Sequence, residues 1–472
     1  MSNATPPVVE YPRPKPEDLV HSPVSAVPSP YAGKAISPWQ HFCISAYWFA
    51  TNFLWGAMLT IMLPDEIRHL APRLRAPGTV IAGIAVIVAV LVPLIAGAYS
   101  DRCASRLGRR RPFLIGGIAV NIFGLALMAV AYNSATPITE GNPARGLTIL
   151  LTNPGFMLFM LAYMVVQLGN NVSSAAYSGL IPDLVPHEQR GAASGWMALQ
   201  TQAGTLFGAL GCGLLLGHAS DVAKYFVICL VLAGVSLFTI LGIKETPLPV
   251  KPPPIEWRTY VKSLWIDPRL YPDFAWVWIT RALVMLGFYS IEPYINYYLI
   301  DVIGIENPAQ ATAKVLAIIL LASSASGFYG GVLSDRIGRK RVVYLANTII
   351  SLTVLGFIFC RNLEQVLVVG VFFGIGFGAY TSVDWALGTD VLPSKVDAAK
   401  EMAVWHIAMT VPQTIGQGIS GIILALMGMH EVMVHGETQY RYAISGYSVV
   451  FLLASICFAL GAYFLRNVRS VT

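Results

Sequence analysis

The sequence predicts an all-α integral membrane protein with twelve transmembrane helices in two pseudo-symmetric six-helix halves, and three observations carry that prediction. First, the 472 residues are 55% hydrophobic and only 12% charged, with a mean hydropathy of +0.62. That leaves too little polar surface to cover a soluble globule of this size. Second, twelve apolar runs are each long enough to cross about 30 Å of hydrocarbon. Third, a cationic loop from Gly97 to Phe113, GAYSDRCASRLGRRRPF, joins two apolar runs, and a shorter version, GGVLSDRIGRKR, returns at Gly330 to Arg341. The repeat extends further: Asp183 and Pro186 of LIPDLVP recur 207 residues on as Asp390 and Pro393 of LGTDVLP. Two repeats of six spans suit a molecule whose halves rock against each other to carry a solute.

Taken in order, residues 1–37 are rich in Pro and Ser and read as a disordered cytosolic tail with no cleaved signal. The first half, 38–243, holds apolar runs at 41–63, 78–99, 112–133, 155–181, 191–217 and 222–242. Prolines and charges interrupt the rhythm over 244–273, a cytosolic linker. Within it Trp257, Val261, Leu264 and Trp265 recur at helical spacing opposite Arg258 and Lys262, so a short interfacial helix is expected. The second half, 274–466, holds runs at 274–300, 310–334, 342–360, 365–390, 401–429 and 441–465, followed by a cytosolic terminus at 467–472.

Lys and Arg concentrate in alternate loops and at both termini, which places both termini in the cytosol of a multi-pass plasma (cytoplasmic) membrane protein. One outer loop breaks this asymmetry: Arg68, Arg73 and Arg75 follow the first span, with Asp65 and Glu66 as partial counterweights. The formal charge of +6 therefore reflects topology and does not imply a nucleic-acid partner. The six cysteines show no CxxC spacing, so neither a disulfide framework nor a zinc site is expected. Nothing resembles a nucleotide-binding motif or a hydrolytic triad, so no enzymatic activity, metal or cofactor is expected. The Gly-rich patches GIGFGAY (374–380) and GQGISG (416–421) read as small-residue faces for close helix packing. The partners expected are a small-molecule substrate, protons and the lipid bilayer, with the chain as a monomer.

A twelve-span chain with SDRxGRR-type loops after spans 2 and 8 resembles the major facilitator superfamily, from about residue 38 to 466. Its first loop, SDRCASRLGRRRPF, carries four extra residues between Asp-Arg and Gly-Arg-Arg. In this it is similar to the sucrose and other disaccharide proton symporters, neighbours of the glycoside-pentoside-hexuronide cation symporters. The resemblance implies that the loop is a cytoplasmic gate. Asp101 would accept N–H groups from a helix N-terminus in the opposite half, and Arg102 and Arg109 would pair with Asp183. The repeat implies the same set from Asp335, Arg336, Arg339 and Asp390. Arg110 and Arg111 are read as enforcing topology and binding anionic lipid heads. The implied function is proton-coupled sugar symport by alternating access. The alternatives are export of amphipathic metabolites or drugs, suggested by the many aromatic and Met residues, and sugar uniport. Span 2 has no acidic residue before Asp101, which argues against sodium coupling.

Charges inside spans cost about 2.5–3.5 kcal/mol each on insertion scales, so each should face a partner or a wet cavity. Arg281 and Glu292 of span 7 lie eleven residues apart, about 16 Å along a helix, and cannot pair with each other. Asp384 of span 10 lies at the depth of Arg281, so a salt bridge is expected, with His406 at a similar level. Either it faces the cavity and releases Arg281 on protonation, or it is a fixed structural pair. Glu292 precedes Pro293, which disturbs the helix, and is the other candidate proton carrier. His406 reads equally as a proton carrier or a packed histidine. A sugar site needs amides and an aromatic platform. Candidates are Asn52 and Trp55 (span 1), Gln167, Asn170 and Asn171 (span 4), Asn296 (span 7) and Trp385 (span 10), with Gln200 and Gln413 on flanking helices. Gln167, Asn170 and Asn171 share a helix face. For each amide, helix-to-helix hydrogen bonding is the competing role.

Overall fold

The computed structural model describes residues 31, 35–85, 88–139, 145–186, 189–247, 254–392, 398–434 and 437–469. The expected tail lies almost wholly outside the described residues, as does Pro393.

The spans form in the expected order. Helix α1 runs Pro38–Leu70, opened by a capping box in which the Ser37 hydroxyl accepts from the Gln40 amide and the Gln40 side chain accepts from that of Ser37. It continues past the apolar run through a π turn at Met58–Met62. The run had been expected to end near residue 63, where charges begin. Those charges are accommodated: Arg68 pairs with Asp65 at 2.5 Å, and the Tyr225 hydroxyl donates to buried Glu66 at 2.8 Å. Helix α2 comprises Arg75–Ala85 and Val88–Asp101, α3 is Arg111–Ser134, and α4 is Pro154–Ser178. Helix α5 is Arg190–Leu210 with a π turn at Gly211–Leu215, and α6 is Asp221–Gly242. In the second half, α7 spans Pro272–Asp301, with a 3-10 turn at Glu292–Tyr294 where Pro293 removes a helical donor. Helix α8 is Pro308–Ile337, α9 Arg339–Phe357, α10 Leu363–Asp390, α11 Ala398–Met427 and α12 Ile444–Leu465. Among the described residues eleven helices are long and apolar enough to cross a membrane, and α5 is the twelfth by position.

One element departs from the all-helical expectation. Strands β1 (Met429–Val434) and β2 (Glu437–Tyr442) form an antiparallel hairpin between α11 and α12, with Met429 opposite Tyr442.

The duplication is visible in the packing. Within the first half α1 packs on α5 and α6, α3 on α4 and α6, and α2 on α4. The second half repeats these neighbours as α7 with α11 and α12, α9 with α10 and α12, and α8 with α10. Each half buries its own core, and the halves touch through the symmetric pairs α2–α11 and α5–α8. A small cluster of Ile61, Ala209 and Ala313 bridges them. Outward faces carry exposed Phe123, Phe226, Leu230, Phe328 and Leu352, which suits hydrocarbon and not water.

Glycine decides how closely helices approach. A Cβ at Gly378 would overlap the Ser323 backbone, and one at Gly421 would overlap the Tyr294 hydroxyl and Val80. Both Gly-rich patches therefore hold small-residue contact faces. In the linker, a short helix at Trp257–Ser263 docks on α2: Trp257 lies 5.8 Å from Tyr99, and the Tyr260 hydroxyl donates to the Leu94 carbonyl at 3.3 Å. Its Val261 and neighbouring Trp265 remain exposed.

Replacing Gly378 by Val should push α10 from α8 and cost about 1–3 kcal/mol by overpacking. Thermal unfolding of the purified protein in detergent checks this, with a lowered Tm expected.

Candidate functional site

Three groups of polar residues stand out along the bundle: at the end bearing the cationic loops, at the far end, and in the middle.

At the cationic-loop end Arg110 is the hub. It sits at the N-cap of α3, and its guanidinium reaches Asp101 at 2.5 Å, Asp183 at 3.0 Å and the Ser100 hydroxyl at 3.3 Å. It lies flat on Gly179, where any Cβ would overlap it. Arg109 also pairs with Asp183. The Arg110 backbone N–H donates to Glu245 at 2.8 Å, just beyond α6. Burial pushes the Glu245 carboxyl above its ordinary range, against the opposing pull of the Arg110 N–H and the Arg111 charge. Burial also disfavours the Arg110 cation, but Asp101 and Asp183 more than offset that and hold its guanidinium above its ordinary range.

The turn rests on Gly108, at φ +103°, which no residue with a Cβ adopts comfortably and where a Cβ would strike Glu245. The second copy repeats the device: Gly338 has φ +95°, and Arg339 beside it pairs with Asp390 at 2.7 Å. The Gly-Arg pair and a carboxylate at, or just beyond, the end of the fourth helix of each half are thus the repeated unit of the internal duplication.

Several expectations for this end need correction. Arg110 is a central ion-pair partner and not merely a topological charge, because the four-residue extension lets it fold back between Asp101 and Asp183. Asp101 pairs with Arg110 in its own half and not with a helix N-terminus opposite. Among the described residues Arg102 and the exposed Arg336 make no ion pair, and the Asp335 side chain lies outside what is described. The ion pairs described at this end, Arg109 and Arg110 with Asp183, Arg110 with Asp101 and Arg339 with Asp390, each stay within one half.

The far end is different, because there the bonds cross between halves. Arg75 of α2 pairs with Asp301 of α7, and Arg73 pairs with Glu431 of β1 at 3.0 Å. The Tyr297 hydroxyl donates to the Pro64 carbonyl at 3.0 Å and lies 3.3 Å from that of Thr79. The Ala76 N–H donates to the Tyr442 hydroxyl at 2.9 Å. This end is closed. None of Arg73, Arg75 or Asp301 had been singled out as functional, although the breach of charge asymmetry at Arg68, Arg73 and Arg75 was the signal that could have found them.

In the middle, Arg281 and Asp384 do meet. The Tyr380 hydroxyl donates to Asp384 at 2.9 Å, and the Arg281 guanidinium lies 4.9 Å from the Trp405 ring centre. Each member of the pair is only 3% exposed, so it is sealed under Tyr380 and Trp405 and does not face a cavity as one reading had it. His406, by contrast, is accessible to solvent while surrounded by protein. Glu292 is half-buried at the break in α7, and among the described residues its Oε2 has no hydrogen-bond partner. Beside it Pro293 lines a small cavity with Tyr163 of α4 and Gln417 of α11.

The amides divide. Asn170 accepts from the Thr51 hydroxyl at 2.5 Å, tying α4 to α1, and fully buried Asn296 donates to the Thr312 hydroxyl at 3.4 Å, tying α7 to α8. Both are helix ties, while Gln200 and Gln413 are buried. Asn52 donates to its own Trp48 carbonyl at 2.7 Å. Gln167 donates to the Tyr163 hydroxyl at 2.9 Å, and half-buried Asn171 donates to the Gln167 carbonyl at 2.8 Å; Tyr163 itself lines the small cavity. Trp55 packs on the first core, and the Trp385 side chain lies outside what is described. Two aromatic platforms add to the residues that the sequence points to. Trp48 stacks on Tyr177 at 5.2 Å, and Phe288 stacks on Phe377 at 4.6 Å beside Phe373.

Two six-helix halves, joined at the far end around a polar centre, are the architecture of a secondary transporter. The chain belongs to the Major Facilitator Superfamily, whose family model matches residues 141–398 and 309–471. It is similar to the multidrug resistance protein MdtG of Salmonella paratyphi C, being 25% identical over 332 residues that cover 69% of this chain and 75% of that one. Among solved structures it shares its fold with a bacterial homologue of the human lysosomal transporter Spinster, at TM-score 0.66 and 14% identity over 92% of this chain and 97% of that one. The nucleoside transporter NupG gives a TM-score of 0.62 at 13% identity, covering 91% of this chain and all of its own.

Removing the Arg110 side chain with Arg110→Ala leaves Asp101 and Asp183 short of a cation and should cost about 1.5–3 kcal/mol, the range for charged hydrogen bonds. Arg102→Ala should stay within about 0.5 kcal/mol, as for a surface change. Paired thermal melts in the same detergent separate the two.

Proposed function

We propose that this protein is a proton-coupled importer of an uncharged, hydroxyl-bearing solute of the sugar or glycoside class, working by alternating access in the cytoplasmic membrane. The observation that carries the reading is Glu292, a carboxylate with an oxygen lacking a partner at the proline break of α7. Lone charge away from bulk water is expensive in a membrane, and protonation removes most of that expense. A solute-loaded site therefore reorients more readily with Glu292 protonated, which ties solute movement to proton movement. Arg281 and Asp384 pair with each other beside Trp405 and serve as a structural pair.

With the cationic loops placed in the cytosol by the positive-inside rule, the closed far end is the outer one and the molecule stands open inward. Arg109, Arg110 and Asp183, with Arg339 and Asp390, then brace the inner ends of the helices that would form the cytoplasmic gate. Gln167, Asn171 and the Tyr163 hydroxyl offer hydrogen-bonding groups for a solute, and Trp48 stacked on Tyr177 offers a flat apolar face. The extended SDRCASRLGRRRPF loop supports the same class. A second reading, export of amphipathic compounds, is favoured by the Phe288, Phe373 and Phe377 stack and by similarity to a multidrug resistance protein.

Counterflow in proteoliposomes with a panel of mono- and disaccharides tests for sugar transport, and an external pH probe on adding sugar to unloaded proteoliposomes tests coupling. Saturable sugar exchange, with external alkalinisation on net sugar uptake, supports the proposal. Absence of sugar flux together with proton-driven ethidium efflux favours the exporter. Glu292→Gln should keep sugar exchange but lose proton-driven accumulation and alkalinisation; alkalinisation that survives in this variant removes Glu292 from coupling.

A further inference from the structure

The hairpin between α11 and α12 has no place in the transport cycle described so far. It belongs to the second half by sequence, yet its contacts reach the first. We infer that β1–β2 is a strap that locks the far end shut, with the Arg75–Asp301 pair as its buried bolt, and that this strap holds the transporter in its far-end-closed resting state.

The contacts form one connected set. Asp301 Oδ2 receives the Arg75 guanidinium from the first half, the Tyr442 N–H from β2 at 3.2 Å, and the Tyr447 hydroxyl from α12 at 2.6 Å. Arg75 is sandwiched by aromatic rings, its guanidinium carbon 5.0 Å from the centre of Tyr297 and 4.8 Å from that of Tyr442. Tyr442 then turns its hydroxyl to the Ala76 N–H, a first-turn amide of α2 that has no acceptor within its own helix. At the rim Arg73 closes on Glu431 of β1 and on the Tyr440 hydroxyl of β2. Arg75 is 1% exposed and Asp301 6%, so water does not reach the bolt while the end is shut.

Physical chemistry makes such a device two-state. Pulling α2 from the hairpin by an ångström or two would strand a cation and an anion without partners and without water, which is worse than either the closed pair or the fully wetted one. An isolated two-stranded hairpin is also marginally stable, so its order depends on what it docks against. Bolt, α2 cap and rim pair therefore release together, and the far end opens in one step. The device does not depend on which solute is carried, so it stands or falls separately from the sugar assignment.

Hydrogen–deuterium exchange mass spectrometry on the full chain in nanodiscs tests it without any substrate. In Asp301→Asn, amides of 75–85 and 429–442 should exchange faster by about tenfold or more, while those of 97–111 at the opposite end exchange more slowly as that end closes. The rim variant Arg73→Ala with Glu431→Ala leaves the buried bolt in place and should shift exchange in the same directions by a smaller factor. Faster exchange confined to the hairpin, or spread through both ends alike, would mean a purely structural contact and overturn the proposal. If Asp301→Asn does not fold, the rim variant decides by the same two signs.

Discussion

A charge taken out of water must find its opposite or keep a route back to water, and the rest of this molecule follows from how it meets that constraint. In a bilayer neither helix packing nor hydrophobic burial can compensate a stranded ion. Three sets of buried charges show how. At the cationic-loop end, Arg109 and Arg110 are neutralised by Asp101 and Asp183 inside one half. At the far end, Arg75 is neutralised by Asp301 across the two halves. In the middle, Arg281 and Asp384 neutralise each other, and Glu292 is left at a helix break. Pairs within a half tie its own helices together, and pairs across the halves tie one half to the other.

Duplication supplies the frame, and departures from it supply the specialisation. Gly108 with Arg109 and Gly338 with Arg339 are the same left-handed turn delivering the same cation to the same helix end. Only the first copy adds Arg110, which needs both the longer loop and the bare backbone of Gly179 to lie between two carboxylates. Only the second half carries a hairpin between its last two helices. A rocking molecule built from identical halves would have no preference between its two faces. The contacts here are not symmetric: the far end is tied across the halves, whereas the described ion pairs of the cationic-loop end stay within each half.

Close helix approach sets the geometry in which these charges meet. Gly374 and Gly378 bring α10 against α8, and Gly416 and Gly421 bring α11 against α7 and α2. Without a hydrophobic drive between helices in lipid, such small-residue faces with dispersion contacts hold the bundle. They also explain why α2 and α11, both small-residue helices at this level, form a main seam between the halves.

The sequence by itself determined the class of fold, the number and order of spans and the internal repeat, because hydropathy and loop charge act locally and survive without tertiary context. It also placed Arg281 opposite Asp384, since depth along two antiparallel helices can be counted in residues. It could not say that this pair is roofed by Trp405, or that Asn170 and Asn296 spend their hydrogen bonds on Thr51 and Thr312, because the direction of a side chain around a helix depends on neighbours distant in sequence. The far-end closure was beyond reach for the same reason: Arg75 and Asp301 are 226 residues apart, and Tyr442 meets both only after the hairpin folds back over the first half. The three arginines after the first span were legible as an anomaly. Only the assembled structure made them a closure, because an ion pair across two domains exists in no single stretch of chain.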